Sequence, residues 1–272
     1  MGLRVNTNIA SLTAQRNLGA VTSRLQGNYA RLSSGLRIAT AADDAAGLGI
    51  SERMRSQIRS YRQAGRNAQD GISLVQTAEG ALSEAGNILV RMRELAVQAT
   101  NGTLSTTDRA TISTETSALT AELDRISTSA TFNGVQLLDG TNTTASIQVG
   151  INANETIDVG LQDTSSATLF TTAVDVTTAS GANAALDLVD TAINTVNTAR
   201  GNLGASQNRL QSAYASIQTA AENLSTAESR IRDVDVAWET ADLTRNSILQ
   251  QAATSVLAQA NVQPQLALKL LQ

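Results

Sequence analysis

"LDLVDTAINTVNTARGNLGASQNRLQSAYASIQTAAENLSTAESRI" (residues 186–231) decides the fold of this chain. Leu186, Val189, Ile193, Val196, Leu203, Leu210, Tyr214, Ile217, Leu224 and Ile231 follow one another at steps of three, four or seven. A stripe with that repeat belongs to a long helix packed along another helix. A second stripe runs through Ile72, Val75, Leu82, Ala85, Leu89, Met92 and Ala96. A third, shorter one (Ile112, Leu119, Leu123, Ile126) is entered from "STTD" near Thr107, which has the form of a helix cap. Between residues 130 and 180 the period changes. "FNGVQLLDG" carries Asn-Gly and Asp-Gly turn signals. Ile147, Val149 and Ile151 alternate with polar residues, as do Ile157, Val159 and Leu161, with "NANE" between them. That pattern predicts a β-hairpin with one apolar face. The fold expected is mainly α: long antiparallel helices in a coiled-coil or bundle arrangement, with a small β-hairpin region at about 130–180.

Composition agrees with thin helical layers. Hydrophobic residues make up 42% of the 272, but aromatics only 2%, and aromatics dominate compact cores. One proline leaves room for very long helices. There is no cysteine and no histidine. Disulfides and thiolate metal sites are therefore excluded, and the commonest general base and metal ligand are missing. "DD" at Asp43 and Asp44 fits a helix start. No cofactor or metal site is expected, and the chain is read as a non-enzyme. The net charge is −4, with Lys and Arg scattered, so no basic footprint for nucleic acid exists. "MGLRVNTNIASL" has no apolar core and no cleavage signal, so no classical secretion peptide is expected. Residues 246–268 carry no charge, but Gln250, Gln251, Asn261, Gln263 and Gln265 argue against a hydrocarbon environment and for burial among protein helices.

The two ends mirror each other. Val5, Ile9, Leu12, Leu18, Val21, Leu25, Tyr29, Leu32 and Leu36 form a stripe near the start. Ile248, Leu249, Ala252, Val256, Leu257, Leu266 and Leu270 form one near the end. Pairing the two terminal helices covers one face of each. Leu266, Leu268, Leu270 and Leu271 occupy more than one face. Burying four leucines contributes roughly 6–12 kcal/mol before entropy, and one partner helix cannot cover them. Contact with other copies is the expected cover, and a heterologous contact that does not close yields a helical filament. Pro264 is expected to make the last helix kink or restart near Gln263.

"SSGLRIATAADDAAGLGISERMRSQ" (33–57), "RMRELAVQATNGT" (91–103), "ELDRISTSATFNGVQLLDG" (122–140), "LGASQNRLQSA" (203–213) and "ENLSTAESRIRDVDVAWETADLTRNSILQQAATSVLAQAN" (222–261) closely resemble bacterial flagellins, in family order. The resemblance spans nearly the whole chain and implies a minimal flagellin without large outer domains. It implies an inner filament-core domain of residues 1–43 with 232–272, and a helical domain of 44–182 with 183–231 that carries the hairpin region. The function implied is a structural subunit that polymerises into the flagellar filament for motility. Assembly would rest on Val5, Ile9, Leu12, Leu25, Leu32, Leu249, Val256, Leu257, Leu266, Leu268, Leu270 and Leu271. Implied partners are further copies of the chain, a flagellar export chaperone at the C-terminal region, and hook-associated and cap proteins. By resemblance to flagellins sensed by the vertebrate Toll-like receptor, Arg91, Leu95 and Glu115 fall on receptor-contact positions. Otherwise they are a solvated charge, a packing leucine and a helix-surface carboxylate. The location implied is extracellular, reached by type III export. Trp238 stands where the family more often has a smaller or different residue. Two other readings are a hook–filament junction protein, which shares the terminal helices, and a lipid-binding amphipathic protein. The latter lacks the Lys and Arg that would line its polar faces.

Overall fold

The computed structural model describes residues 7–269, with side chains described for 7–262. Six helices and two small sheets follow in the order α1 (Ile9–Ser34), α2 (Ala45–Thr100), α3 (Thr106–Ser129), β1 (Thr131–Phe132), β2 (Val135–Gln136), β3 (Thr144–Gln148), β4 (Thr156–Gly160), α4 (Ser166–Leu169), α5 (Ala179–Arg232) and α6 (Val236–Lys269). They divide into two compact units, Met1–Ser56 with Asn223–Gln272, and Gln57–Glu222. The chain passes between units within α2 and within α5.

In the unit 57–222, α2 and α5 run antiparallel, as Arg93–Asp190 and Gln69–Tyr214 contacts show (2.5 and 3.1 Å). Val189, Val196, Leu203, Leu210 and Ile217 are buried every seventh residue of α5. Ala185, Ala192, Ala199 and Ser206 fill the alternate positions. On α2 the buried row Val75, Ala78, Leu82, Ala85 and Leu89 repeats the same alternation of large and small, and Met92, Ala96 and Ala99 continue the buried face. Small side chains let the helix axes approach while the large ones interdigitate. This explains how a core with hardly any aromatics closes. The Arg93 guanidinium holds the Asp190 carboxyl below the usual carboxylate range. The stability this contact adds is therefore present above the ordinary carboxylate pKa and lost as pH falls through the lowered value.

Local chemistry sets the ends. Ser105 caps α3: its hydroxyl accepts from Asp108 N, and the Asp108 carboxylate accepts from Ser105 N. Arg109 reaches back from α3 to the carbonyls of Ala99 in the last turn of α2 and of Asn101 and Leu104 in the loop that follows it. Asp44 starts α2, its Oδ1 accepting from Ala46 N and Gly47 N at 3.0 and 2.9 Å. Asn133 and Gly134, both at positive φ, turn β1 into β2.

The hairpin pairs Ile147 with Ile157 and Ala145 with Val159. Its first strand ends at Gln148, so Val149 and Ile151 lie in the loop and not in the expected alternating strand. The reason is local. Val149 N and Gly150 N both donate to Glu155 O, and the Glu155 carboxylate accepts from Asn152 N and Nδ2. These bonds satisfy the loop backbone without further strand pairing. The inner face of the hairpin, with Ile157 and Val159 buried, joins the α2–α5 core. Helix α4, without a sequence signal, is held by Asp124, which accepts from Ser166 N and Oγ at 2.7 and 2.8 Å.

In the terminal unit, α1 ends at Gly35, whose φ of 70° closes the last turn. Arg37 N then donates to Arg232 O, and Val234 N to Gly35 O, at 2.7 and 3.0 Å. This short antiparallel bridge ties the exit of α1 to the entry of α6. Helix α6 continues past Pro264 to Lys269 as one element, with no restart near Gln263. A proline removes one helical hydrogen bond, and Leu266, Ala267 and Leu268 beyond it are good helix formers. Among the described residues no helix is long and apolar enough to cross a membrane.

Leu89 is fully buried and its neighbour Val90 is half exposed. Leu89→Ala is expected to cost about 2–5 kcal/mol. Val90→Ala should change stability by no more than about 0.5 kcal/mol. Thermal unfolding of the subunit followed by circular dichroism compares the two.

Candidate assembly surface

Helices α1 and α6 pack antiparallel. Near one end, Asn8 Nδ2 donates to Ala260 O and Ser11 Oγ to Asn261 Oδ1 (2.7 and 2.8 Å). Near the other, Asn28 Nδ2 donates to Glu239 Oε1 (2.6 Å). The seam follows a strict heptad on both sides. Ser11, Ala14, Leu18, Val21, Leu25, Asn28 and Leu32 are buried or half-buried on α1, and Glu239, Leu243, Asn246, Gln250, Ala253, Leu257 and Ala260 on α6.

What fills this seam is unusual. Asn28 is 0% exposed and Glu239 1%. Asn28 bonds Glu239, accepts at Oδ1 from Asn246 Nδ2 (2.9 Å), and shares Asp242 with it. Arg31 Nε donates to Glu239 Oε1 at 2.8 Å. A buried carboxylate is tolerated only when paired and hydrogen-bonded. Here Arg31 supplies the charge and Asn28 the second donor. A one-residue slip would leave Glu239, Asn28 and Asn246 without partners, so the cluster admits one register.

Leu18, Val21, Leu25, Leu32, Leu243 and Leu257 share the seam with this cluster, but other large aliphatic side chains lie off it. Ile9 and Leu12 on α1 are 59% and 53% exposed, and Leu249 and Val256 on α6 are 43% and 59%. Ile248, Val262, Tyr29, Val236 and Trp238 are exposed as well. Of the expected assembly residues, Leu25 is buried in the seam, with Leu32 and Leu257 half-buried along it. Val5, Leu270, Leu271 and the side chains of Leu266 and Leu268 lie outside the described residues. Completing the burial of Ile9, Leu12, Ile248, Leu249 and Val256 would contribute about 4–8 kcal/mol. Association of two bodies costs roughly 4–15 kcal/mol. One contact on this face is therefore marginal, and several neighbours at once are needed.

The positions matched to receptor contacts divide in two. Arg91 donates from Nε and Nη2 to Glu115 Oε1 (3.0 and 2.8 Å) and from Nη1 to Glu94, an exposed network that joins α2 to α3 and holds the Arg91 pKa further up. Leu95, 2% exposed, is packed beneath with Ala96, Ala99, Ile112 and Val176.

The description "Bacterial flagellin N-terminal helical region" matches residues 5–143, and "Bacterial flagellin C-terminal helical region" matches 186–271. The chain is 48% identical over 270 residues to a flagellin of Halalkalibacterium halodurans, covering 98% of this chain and 99% of that protein. It is 46% identical over 306 residues to a Bacillus subtilis flagellin, covering 99% and 100%. Among solved structures, Bacillus cereus flagellin matches with a TM-score of 0.51 at 34% identity, over 60% of this chain and 94% of that one. A putative flagellar hook-associated protein of Vibrio parahaemolyticus shares the fold (TM-score 0.56, 16% identity, 71% and 98% covered).

Asn28→Ala should leave Glu239 and Asn246 short of partners, costing the α1–α6 pairing about 1–3 kcal/mol. Amide hydrogen exchange should then quicken along both helices and stay unchanged at Leu82 and Leu203.

Proposed function

Since this chain belongs to the bacterial flagellin family and is a structural subunit of the flagellar filament, not an enzyme, we propose that its polymerisation runs through the outward faces of α1 and α6. The observation that carries this reading is the inversion in the terminal pair. A polar cluster is buried within the seam, and Ile9, Leu12, Leu249 and Val256 face outward. Exposed aliphatic rows of this kind mark interaction surfaces. Leu25, Leu32 and Leu257 hold the pair together so that it can present them. Val5, Leu266, Leu268, Leu270 and Leu271 take part in the same assembly on this reading.

On this reading, residues 1–43 with 232–272 form the inner filament-core domain. Residues 44–182 with 183–231 form the helical domain that carries the hairpin region. The subunit reaches the extracellular filament by flagellar export without a cleaved signal peptide. An export chaperone takes the C-terminal region before assembly, and hook-associated and cap proteins meet the subunit at the filament's ends. A Toll-like receptor reading the free subunit would meet the Arg91–Glu115 pair, while Leu95, the third position matched by resemblance, is buried in the subunit. The likeness to a hook-associated protein is one of fold alone, and the family match favours the filament subunit over a junction protein.

Purified protein should polymerise onto filament seeds, giving long filaments in electron micrographs. Deleting residues 261–272 should abolish growth, and unimpaired growth of the truncated chain would contradict the reading. Arg91→Ala should weaken binding to the receptor ectodomain while seeded growth proceeds.

A further inference from the structure

We propose that Trp238 is an anchor through which α6 of one subunit packs against a second copy of this chain. The inference rests on the filament reading above and names a contact that reading does not contain. Trp238 is the only tryptophan, and it is 64% exposed in the subunit. Its position is fixed by the cap of α6: Asp235 Oδ1 accepts from Ala237 N and Trp238 N at 2.9 and 3.1 Å. The next residue, Glu239, is the one buried against α1, so the indole is turned off the seam.

Helical spacing shows where it points. From Trp238 to Leu249 is about three turns, and from Trp238 to Val256 about five, at 3.6 residues per turn. The three side chains therefore lie along one outward stripe of α6. The stripe is continuous with the face assigned to copies of the chain, and this selects a second copy as the occupant. Arg245 falls on the same stripe. Its side chain is exposed and bonded to Asp242 at 3.2 Å, leaving a charge at the rim of the aromatic site. An exposed aromatic with an arginine on the same stripe, and aliphatic residues further along it, is the composition of an interface hot spot. A lipid surface fits poorly, because Asp235 and Asp242 stand on the same end of the helix.

A sole tryptophan can be read directly in the native chain. Its emission and its quenching by acrylamide are measured in free subunits and in seeded filaments checked by electron microscopy. The expected result is a shift to shorter wavelength and a severalfold loss of quenching on assembly. Trp238→Ala should raise the critical concentration for growth by about tenfold or more, and Trp238→Phe should recover most of the loss. Filaments whose tryptophan quenches as in the free subunit would overturn the anchor and leave the filament reading intact. So would equal critical concentrations for Trp238→Ala and the native chain. Failure of the native chain to form filaments would overturn both.

Discussion

The amide of Asn28, held between Glu239 and Asn246 inside the α1–α6 seam, is the interaction on which the terminal unit depends. Buried polar groups are stable only when satisfied, and here each satisfies the others across two helices more than two hundred residues apart in sequence. The cluster fixes direction and register together. It also gives up seam positions to polar side chains: Ser11, Asn28, Glu239, Asn246 and Gln250 stand in the heptad beside Leu25 and Leu257, while Ile9, Leu12, Leu249 and Val256 face outward.

The chain thus uses one heptad grammar for two purposes. In the unit 57–222 the seam alternates large and small apolar residues, with Val189, Val196 and Leu203 set against alanines, and α3 and the hairpin complete the core. In the terminal unit the same spacing carries polar residues and a narrow aliphatic row. The energy of exposed apolar surface is held back for contacts with other subunits. Because one such contact is marginal against the cost of association, growth requires several neighbours at once, which a helical polymer provides.

The sequence made much of this legible. The stripe of α5, the capping box at Ser105, the Asn-Gly turn and the hairpin each had a local signal with a direct physical meaning. The seam of the terminal pair did not. A hydrophobic period assumes that apolar residues lie inside, so Ile9 and Leu249 were joined into the same stripes as Leu25 and Leu257, although the helix turns them to a different face. A search for an unbroken three-four spacing that admits Asn, Ser and Glu would have found Ser11 to Leu32 and Glu239 to Ala260. Helix α4 was invisible because its anchor, Asp124, is remote in sequence. The early end of β3 depended on side-chain bonds of Glu155 that periodicity cannot register.

A chain with no cysteine permits a direct test of the central claim that the outward row of α6 is covered only in the polymer. A single thiol introduced by Val256→Cys is reacted with a maleimide in free subunits and in seeded filaments, beside Ala14→Cys in the seam. The account predicts rapid labelling of position 256 in the subunit and strong protection in the filament, with position 14 slow in both. Equal labelling of position 256 in subunit and filament would contradict it.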